Sequence, residues 1–561
     1  MNANAQPTVV VEIEGLEPTL ETNVRLYLSI EQQKASPLVS AGRLRRLHQK
    51  ASKEIAAALQ PYGYYRPQIE TSLTLESEDN WRAIYRIDPG PAIPIGSFDF
   101  TIIGEMENDP EFRSLLEKQT LKPGAAFSHL EYERFKSALS RLASERGYFA
   151  AEFIRQRVEV DLESYSARIY LDYDSGPRYR FGELNFSQDI IEDELLRRYS
   201  TFQRGDPYSL EQLLQLQRAL NDSRYFRLVE VSPGEIPAGS TEIPIQVDLS
   251  PRNRHLYKLG VGYGTDTEAR ASFGWEMPRI NRKGHRLDTK LTVSGIGYSA
   301  ETHYIIPVLD PRTDRLVFSL SEVEEEFESD TSTWRNLGVS LNHGRGQWRE
   351  TLSLDYQREE YKREDEDEES TLLIPGVSWS RTWGPDFINV LDGVRFDIAL
   401  AGGNDSLVSD TDFSSVGARL KFITSFGPRD RIIMRGSIGS ITADDFDKIP
   451  PSLRFYAGGA SSVRGYAYHS LGPEDSNGDA IGAEKLLLGS AEYEHYFDDH
   501  WGMALFYDIG NAIDDFSDDL ERGAGLGLRW KSPVGPVRVD LANSISEDED
   551  WRLHVNIGPD L

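Results

Sequence analysis

Ser452-Leu453-Arg454-Phe455-Tyr456-Ala457-Gly458-Gly459-Ala460-Ser461-Ser462-Val463-Arg464-Gly465-Tyr466 is a glycine-rich segment with aromatics threaded through it. It continues past Gly472-Pro473 and Ser476-Asn477-Gly478. It gives way at Lys485-Leu486-Leu487-Leu488-Gly489-Ser490-Ala491-Glu492-Tyr493 to an alternating strand. A loop of this length is usually functional or disordered. Its aromatic content argues against disorder. At its centre stand Val463, Arg464, Gly465 and Tyr466.

Strands flank this loop on both sides. From Leu256 the apolar period is two: Tyr257, Leu259, Val261 and Tyr263 alternate with Lys258, Gly260 and Gly262. The same alternation recurs at Leu287-Thr289-Leu291-Val293, Leu316-Phe318-Leu320, Leu352-Leu354-Tyr356, Leu526-Leu528-Trp530 and Leu553-Val555-Ile557. A soluble sandwich would alternate in the same way. Three features favour a membrane barrel. The strands reach the ~9–11 residues that cross a bilayer at a tilt. Aromatics gather towards strand ends, as in interfacial girdles. Short connections, such as Gly344-Arg345-Gly346-Gln347 and Ser532-Pro533-Val534-Gly535, alternate with long ones at 322–332, 359–370, 403–412, 441–483 and 514–521. Short turns belong in the periplasm and long loops outside. About eleven strands precede the Arg464 loop and about five follow it, an even total of about 16. The barrel is placed at 253–561, with loop 442–483 folded inward. The acidic run 364–369 falls in an outer loop and reads as a solvated, self-repelling tip. Divalent-cation contact with lipopolysaccharide is the lesser alternative.

Upstream, one pattern occurs three times. A strand at 8–13 is followed by helical spacing at 20–30 and 44–59, then by strands near 67–75 and 81–87. Asp88-Pro89-Gly90-Pro91 closes the unit. The order β-α-α-β-β returns from Gly96 and again from Phe181. Helices are expected at 112–119 and 130–145, then at 190–199 and 209–221. Ser128 and Glu131 have capping-box spacing. Gly147-Tyr148 answers Gly63-Tyr64, and these pairs read as fold residues. Three α+β domains are therefore expected, at 1–93, 94–178 and 179–252.

The 561-residue chain carries a formal net charge of -30 and no cysteine. The charge argues against nucleic acid, and the missing thiols exclude disulfides and thiolate metal sites. No run approaches the ~18 apolar residues of a membrane helix, which says nothing against a barrel. The start, Met1-Asn2-Ala3-Asn4-Ala5, reads as a mature chain with an added Met. The ten histidines are scattered, with no His-Glu-x-x-His. Gly260-Val261-Gly262 and Gly523-Ala524-Gly525 do not open helices, so no phosphate cradle is expected. They read as inward glycines that admit the folded-in loop. Asp475-Ser476-Asn477-Gly478-Asp479 hints at calcium, but Ala480 stands where an EF-hand wants Gly. No enzyme, cofactor or metal is expected.

The pattern Val463-Arg464-Gly465-Tyr466, with Gly458-Gly459 before it, Gly472-Pro473 after it and Phe506-Tyr507-Asp508-Ile509-Gly510-Asn511 downstream, resembles the outer-membrane assembly factors that join POTRA (polypeptide-transport-associated) domains to a β-barrel. Among these, the translocation and assembly module subunits, with three POTRA domains, are the nearest in kind. The resemblance implies an outer-membrane location in a Gram-negative bacterium, with the POTRA domains in the periplasm. It also implies outer-membrane proteins such as autotransporters as clients, and an inner-membrane-anchored partner, TamB, on the POTRA domains. Outer-membrane lipid is a further expected partner, and a lipid-transport role beside TamB is left open.

Strand parity points Glu492, Phe506 and Asp508 into the lumen, because Tyr493, Leu505, Tyr507 and Ile509 take the lipid face. Arg464 can fork between the two carboxylates. The resemblance implies the same pairing, with Phe506 packed nearby. A solvated external loop is the alternative. The seam joins Tyr257, Leu259 and Val261 to Val555 and Ile557, and Gly558-Pro559 cuts the last strand short. A poorly paired seam would template an incoming strand. The competing functions are a two-partner secretion pore passing an exoprotein through the lumen, and a passive porin. The repeats and the inward loop argue against the porin.

Overall fold

The computed structural model describes residues 8–34, 40–77, 80–327, 331–363, 366–384, 390–532, 535–546 and 551–557. Two compact units are resolved, one of Met1–Asn185 with Thr201–Gln215 and Val231–Gln246, the other of Phe186–Ser200 and Leu216–Glu230 with Val247–Leu561.

The first α+β domain runs β1 (Thr8–Glu14), α1 (Pro18–Tyr27), α2 (Ser29–Gln33), α3 (Ala41–Leu59), β2 (Gln68–Ser77) and β3 (Asn80–Asp88). Its sheet has the order β1-β3-β2, with β1 parallel to β3. α3 buries Leu44, Leu47, Ala51, Ile55 and Ala58 as one stripe, the spacing that turns an amphipathic helix onto a sheet. The Ser40 side chain accepts from Arg43 N–H and caps it. The second domain repeats this with β4 (Ile95–Ile103), α4 (Pro110–Lys118), α5 (His129–Glu145), β5 (Glu152–Asp161) and β6 (Ser166–Asp174). The third has β7 (Arg180–Ser187), α6 (Asp193–Arg197), α7 (Leu210–Asp222), β8 (Phe226–Pro233) and β9 (Glu242–Pro251).

Two local expectations fail. Ser128 sits at the N-cap of α5 without a side-chain cap bond, and Glu131 instead accepts from Thr120 Oγ1. The helix expected over 190–199 shrinks to α6, because the Gln188 side chain takes the N–H groups of Ile190 and Ile191 at 2.8 Å and holds them in a turn. The Gly-Tyr pairs lie at joints. Gly63 O accepts Ile93 N–H, and Gly147 O accepts Tyr179 N–H.

The barrel is one 16-stranded sheet. Its strands are β10 (Leu256–Gly264), β11 (Glu268–Met277), β12 (Arg286–Ser294), β13 (Gly297–Pro307), β14 (Arg315–Glu326), β15 (Thr331–Arg345), β16 (Trp348–Arg363) and β17 (Glu366–Trp383). They continue as β18 (Gly393–Gly403), β19 (Phe413–Ser425), β20 (Asp430–Ala443), β21 (Lys485–Tyr496), β22 (Trp501–Ile513), β23 (Glu521–Ser532), β24 (Gly535–Ser544) and β25 (Arg552–Ile557). Every ladder joins sequence neighbours, antiparallel throughout. β10 to β20 precede the Arg464 loop and β21 to β25 follow it, as the periodicity predicts.

The outer connections expected at 322–332 and 359–370 are mostly strand. β16 and β17 reach 16 and 18 residues. Glu366–Glu369 is therefore strand rather than loop, with Glu366, Asp367 and Glu369 exposed. Arg358 pairs with Glu369 at 2.6 Å and Tyr361 OH donates to Glu368 at 3.0 Å. Residues 364 and 365 lie outside the described residues.

Candidate functional site

The loop between β20 and β21 turns back into the lumen. Val463 anchors it in an apolar cluster with Ala457, Tyr466, Leu471, Ala483 and Ala512. Tyr466 OH donates to Glu521 at 2.8 Å. These contacts leave Arg464 only 1% exposed.

Arg464 meets Asp508 as a fork, Nε to Oδ2 at 2.7 Å and Nη2 to Oδ1 at 2.9 Å, with its backbone N–H adding a bond at 3.2 Å. Nη1 reaches Glu492 at 2.8 Å and Asp540 at 3.0 Å. The guanidinium carbon lies 3.4 Å from the centre of the Phe506 ring, so the cation is stacked as well as paired. Burial opposes the charge on Arg464, but its carboxylate partners outweigh that and raise its pKa above the ordinary guanidinium range.

A second buried arginine completes the network. Arg529 bonds Glu492 at 2.6 Å, Glu494 at 2.8 Å and Asp540 at 2.6 Å. Arg431 pairs with Glu494, and Arg435 lies 3.6 Å from Glu492. Four arginines thus face Glu492, Glu494, Asp508 and Asp540. That balance is what lets so many charges sit together at buried positions.

Backbone crowding fixes two glycines. Gly465 has φ +106, and a Cβ there would lie 2.8 Å from Ser544 N. A Cβ on Gly523 would lie 1.8 Å from Arg464 O. The loop therefore rests directly on β23 and β24. The same expectation fails at Gly260 and Gly262, whose nearest neighbours are the side chains of Ser272 and Arg270 on β11.

The seam lies beside this lock. β10 and β25 end the sheet, and no ladder joins them among the described residues. β25 spans six residues. Gly558 and Pro559 lie outside the described residues. Leu259 is 85% and Val261 91% exposed, against 46% for the lipid-facing Leu352 in mid-sheet. Among the described residues no strand other than β11 is laddered to this part of β10. Tyr257 is also exposed, Val555 N–H reaches Thr265 Oγ1 at 3.2 Å, and Ile557 pairs with Val537.

The loop bonds both sides of this seam. Ala460 N–H donates to Asp266 Oδ2 at 2.9 Å, on the hairpin turn after β10. Gly465 N–H donates to His554 Nε2 at 3.0 Å, on β25. Asp266, Arg431, Glu494, Arg529, Asp540 and His554 lie outside the residues marked by the loop motif. The signal was present, since Arg529, Asp540 and His554 all sit at lumen parity between outward Leu528, Trp530, Val539, Leu541, Leu553 and Val555.

An antiparallel barrel with a weak seam, a lumen loop locked by charge and serial α+β domains define an outer-membrane assembly or secretion factor. The chain belongs to the Omp85 superfamily, whose domain model matches residues 256–560. Residues 10–89 match a POTRA domain described as TamA domain 1, and residues 179–252 match a POTRA family described as a surface antigen variable number repeat. The outer membrane protein assembly factor BamA of Nitratidesulfovibrio vulgaris is 23% identical, over 97% of this chain and 71% of its own. BamA of Neorickettsia risticii is 23% identical over 88% of this chain and 69% of its own. The crystal structure of BamA from Haemophilus ducreyi lacking POTRA domains 1-3 superposes with a TM-score of 0.69 at 17% identity, covering 83% of this chain and 100% of that one. The barrel is thus an outer-membrane barrel with its POTRA domains in the periplasm.

Proposed function

We propose that this chain is a non-enzymatic assembly factor of the TamA type, which inserts or translocates outer-membrane clients such as autotransporters by capturing a client strand at the β10–β25 seam. The observation that carries this reading is the edge of β10, unladdered among the described residues. Backbone N–H and C=O groups without partners are costly at membrane depth, and an added strand satisfies them. The match of residues 10–89 to a TamA-type POTRA domain supports this branch of the family. With it comes an inner-membrane-anchored TamB as the partner docking on the periplasmic domains. The Arg464 loop, pinned across the lumen, disfavours a two-partner secretion pore.

The chain has no cysteine, so single cysteines can be placed at Leu259, on the seam edge, and at Lys290, at lumen parity in β12. A stalled autotransporter is then cross-linked in cells. Capture at position 259 well above that at 290 is expected. Capture at 290 alone would mean that the client threads the lumen, and the secretion-pore reading would replace this one.

A further inference from the structure

The chain carries a net charge of -30, yet two segments at the periplasmic end of the first barrel hairpin contain no Asp or Glu. Pro251–His255 holds Arg252 and Arg254, and Pro278–Arg286 holds Arg279, Arg282, Lys283 and Arg286. Among the described residues Arg286 pairs with Asp288 at 2.9 Å, whereas Arg254, Arg279, Arg282 and Lys283 form no ion pair. Arg279 Nη1 is buried with no acceptor. Burial and the neighbouring Arg254 charge lower the Arg279 pKa, and the Asp189 carboxylate opposes them only in part. Arg279 is half-buried and its basic neighbours Arg254, Arg282 and Lys283 are exposed, so the cluster faces outward with more positive charge than Asp189 offsets, and an anion would complete it.

The frame is rigid. Asn281 Oδ1 takes the N–H groups of Lys283 and His285 at 3.0 and 3.2 Å. Glu192 N–H donates to Arg282 O at 2.9 Å, and Tyr225 OH donates to Gly284 O at 2.8 Å. Arg252 N–H donates to Tyr225 O at 3.0 Å. The basic side chains therefore spring from a turn that needs little ordering to bind.

Depth identifies the ligand. His255 stacks on Trp275, with ring centres 6.0 Å apart, and Tyr257 on Phe273 at 6.2 Å. Tyr257 is exposed on the lipid face. Such an aromatic belt marks the boundary between hydrocarbon and headgroups. Arg254 and Arg279 lie just beyond it on the periplasmic side, at the foot of β10 and β11.

We propose that Arg254 and Arg279, with Arg282 and Lys283 beside them, bind the phosphate of an anionic lipid headgroup in the periplasmic leaflet at the foot of the seam strand. A guanidinium fork suits a phosphate, and the belt suits the chains attached to it.

The test is native mass spectrometry of the full chain in detergent with added phosphatidylglycerol, or with phosphate-free diacylglycerol of the same chain length. Wild type is expected to retain phosphatidylglycerol over diacylglycerol. The Arg254→Gln, Arg279→Gln pair is expected to lose about 30-fold in that retention, for two basic residues at a membrane surface. Arg312→Gln, whose guanidinium already pairs with Asp310, is expected to retain the lipid as wild type does. Should the paired variant fail to show the heat-modifiable mobility of a folded barrel, Arg254→Gln alone carries the test, with about a 5-fold loss. Excess inorganic phosphate is the second arm. A headgroup site keeps its lipid, held by its chains, whereas displacement by phosphate would assign the arginines to a soluble anion and overturn the lipid source. Equal retention by wild type and the paired variant, or an equal loss in Arg312→Gln, would overturn the site itself.

Discussion

At the scale of the residue, Arg464 decides whether the lumen loop is seated. Its fork on Asp508 and its reach to Glu492 and Asp540 are geometric facts, but their net contribution is set by what their loss leaves behind. Truncating one partner of a buried ion network strands the other charges without water. That costs about 3–5 kcal/mol, more than the pairs contribute against apolar replacements. Arg464→Ala is therefore expected to lower folded-barrel stability by that amount, read as the midpoint of urea unfolding in detergent micelles. Arg464→Lys is expected to recover only part of it, because an ammonium cannot bond both Asp508 oxygens in plane. A midpoint for Arg464→Ala within about 0.5 kcal/mol of wild type would mean that the other three arginines hold the network without it. This part of the site was legible in the sequence because alternation in β21 and β22 fixes which carboxylates face inward. Arg529 and Asp540 obey the same parity on β23 and β24. They escaped notice because no loop motif drew attention to those strands.

At the scale of the element, the loop is held along its length as well as at Arg464. Ser452 N–H donates to the buried Glu359 at 3.1 Å, and Tyr468 OH donates to Glu325 at 3.0 Å. His469 packs against Phe327 and Tyr456, with ring centres at 5.6 and 5.0 Å, and its φ of +60° is one that few non-glycine residues adopt. Burial pushes its pKa down to about 4 from 6.5, with Asp266 opposing. A lowered histidine pKa means that the unseated loop takes up its proton first as pH falls. Seating is therefore at full strength above pH 6.5, weakens between 6.5 and about 4, and is lost by up to about 3 kcal/mol below that. Protease nicking of the loop is expected to rise over this window in wild type and to stay flat in His469→Phe. Equal pH dependence in both would clear His469 of any part. The sequence pointed to a loop entering the lumen, but it could not show how far strands extend. β14 to β17 run on through charged residues because Arg335 and Arg358 pair across the ladder with Glu322, Glu360 and Glu369. Only the register reveals those partners.

At the scale of the whole molecule, the lock and the seam are joined by one short piece of chain. Residues 460–465 bond Asp266 beside the first barrel strand, His554 on the last, and Asp508 and Asp540 on β22 and β24. Nothing between β10 and β25 replaces that link with a ladder among the described residues. The loop thus braces the seam from inside, and the seam can part widely only when at least one of its two bonds breaks. His554 is buried, so its loss leaves Gly465 N–H unsatisfied, and Asp266→Ala does the same to Ala460 N–H. Each hydrogen bond is worth about 0.5–1.5 kcal/mol, and removing both should shift a two-state seam towards open by about tenfold or more. Spin labels at Val261 and Leu541, lipid-facing positions on β10 and β24, report the gap. Wild type is expected to give one short distance, while the Asp266→Ala, His554→Phe variant adds a longer population. Arg464→Lys, which leaves both seam bonds in place, should change the distances less. If the double variant keeps the wild-type distribution, the seam is held by its own strands and the loop is only a plug. If the longer population appears and client capture at position 259 rises with it, then the charge network, the loop and the strand edge work as one gate.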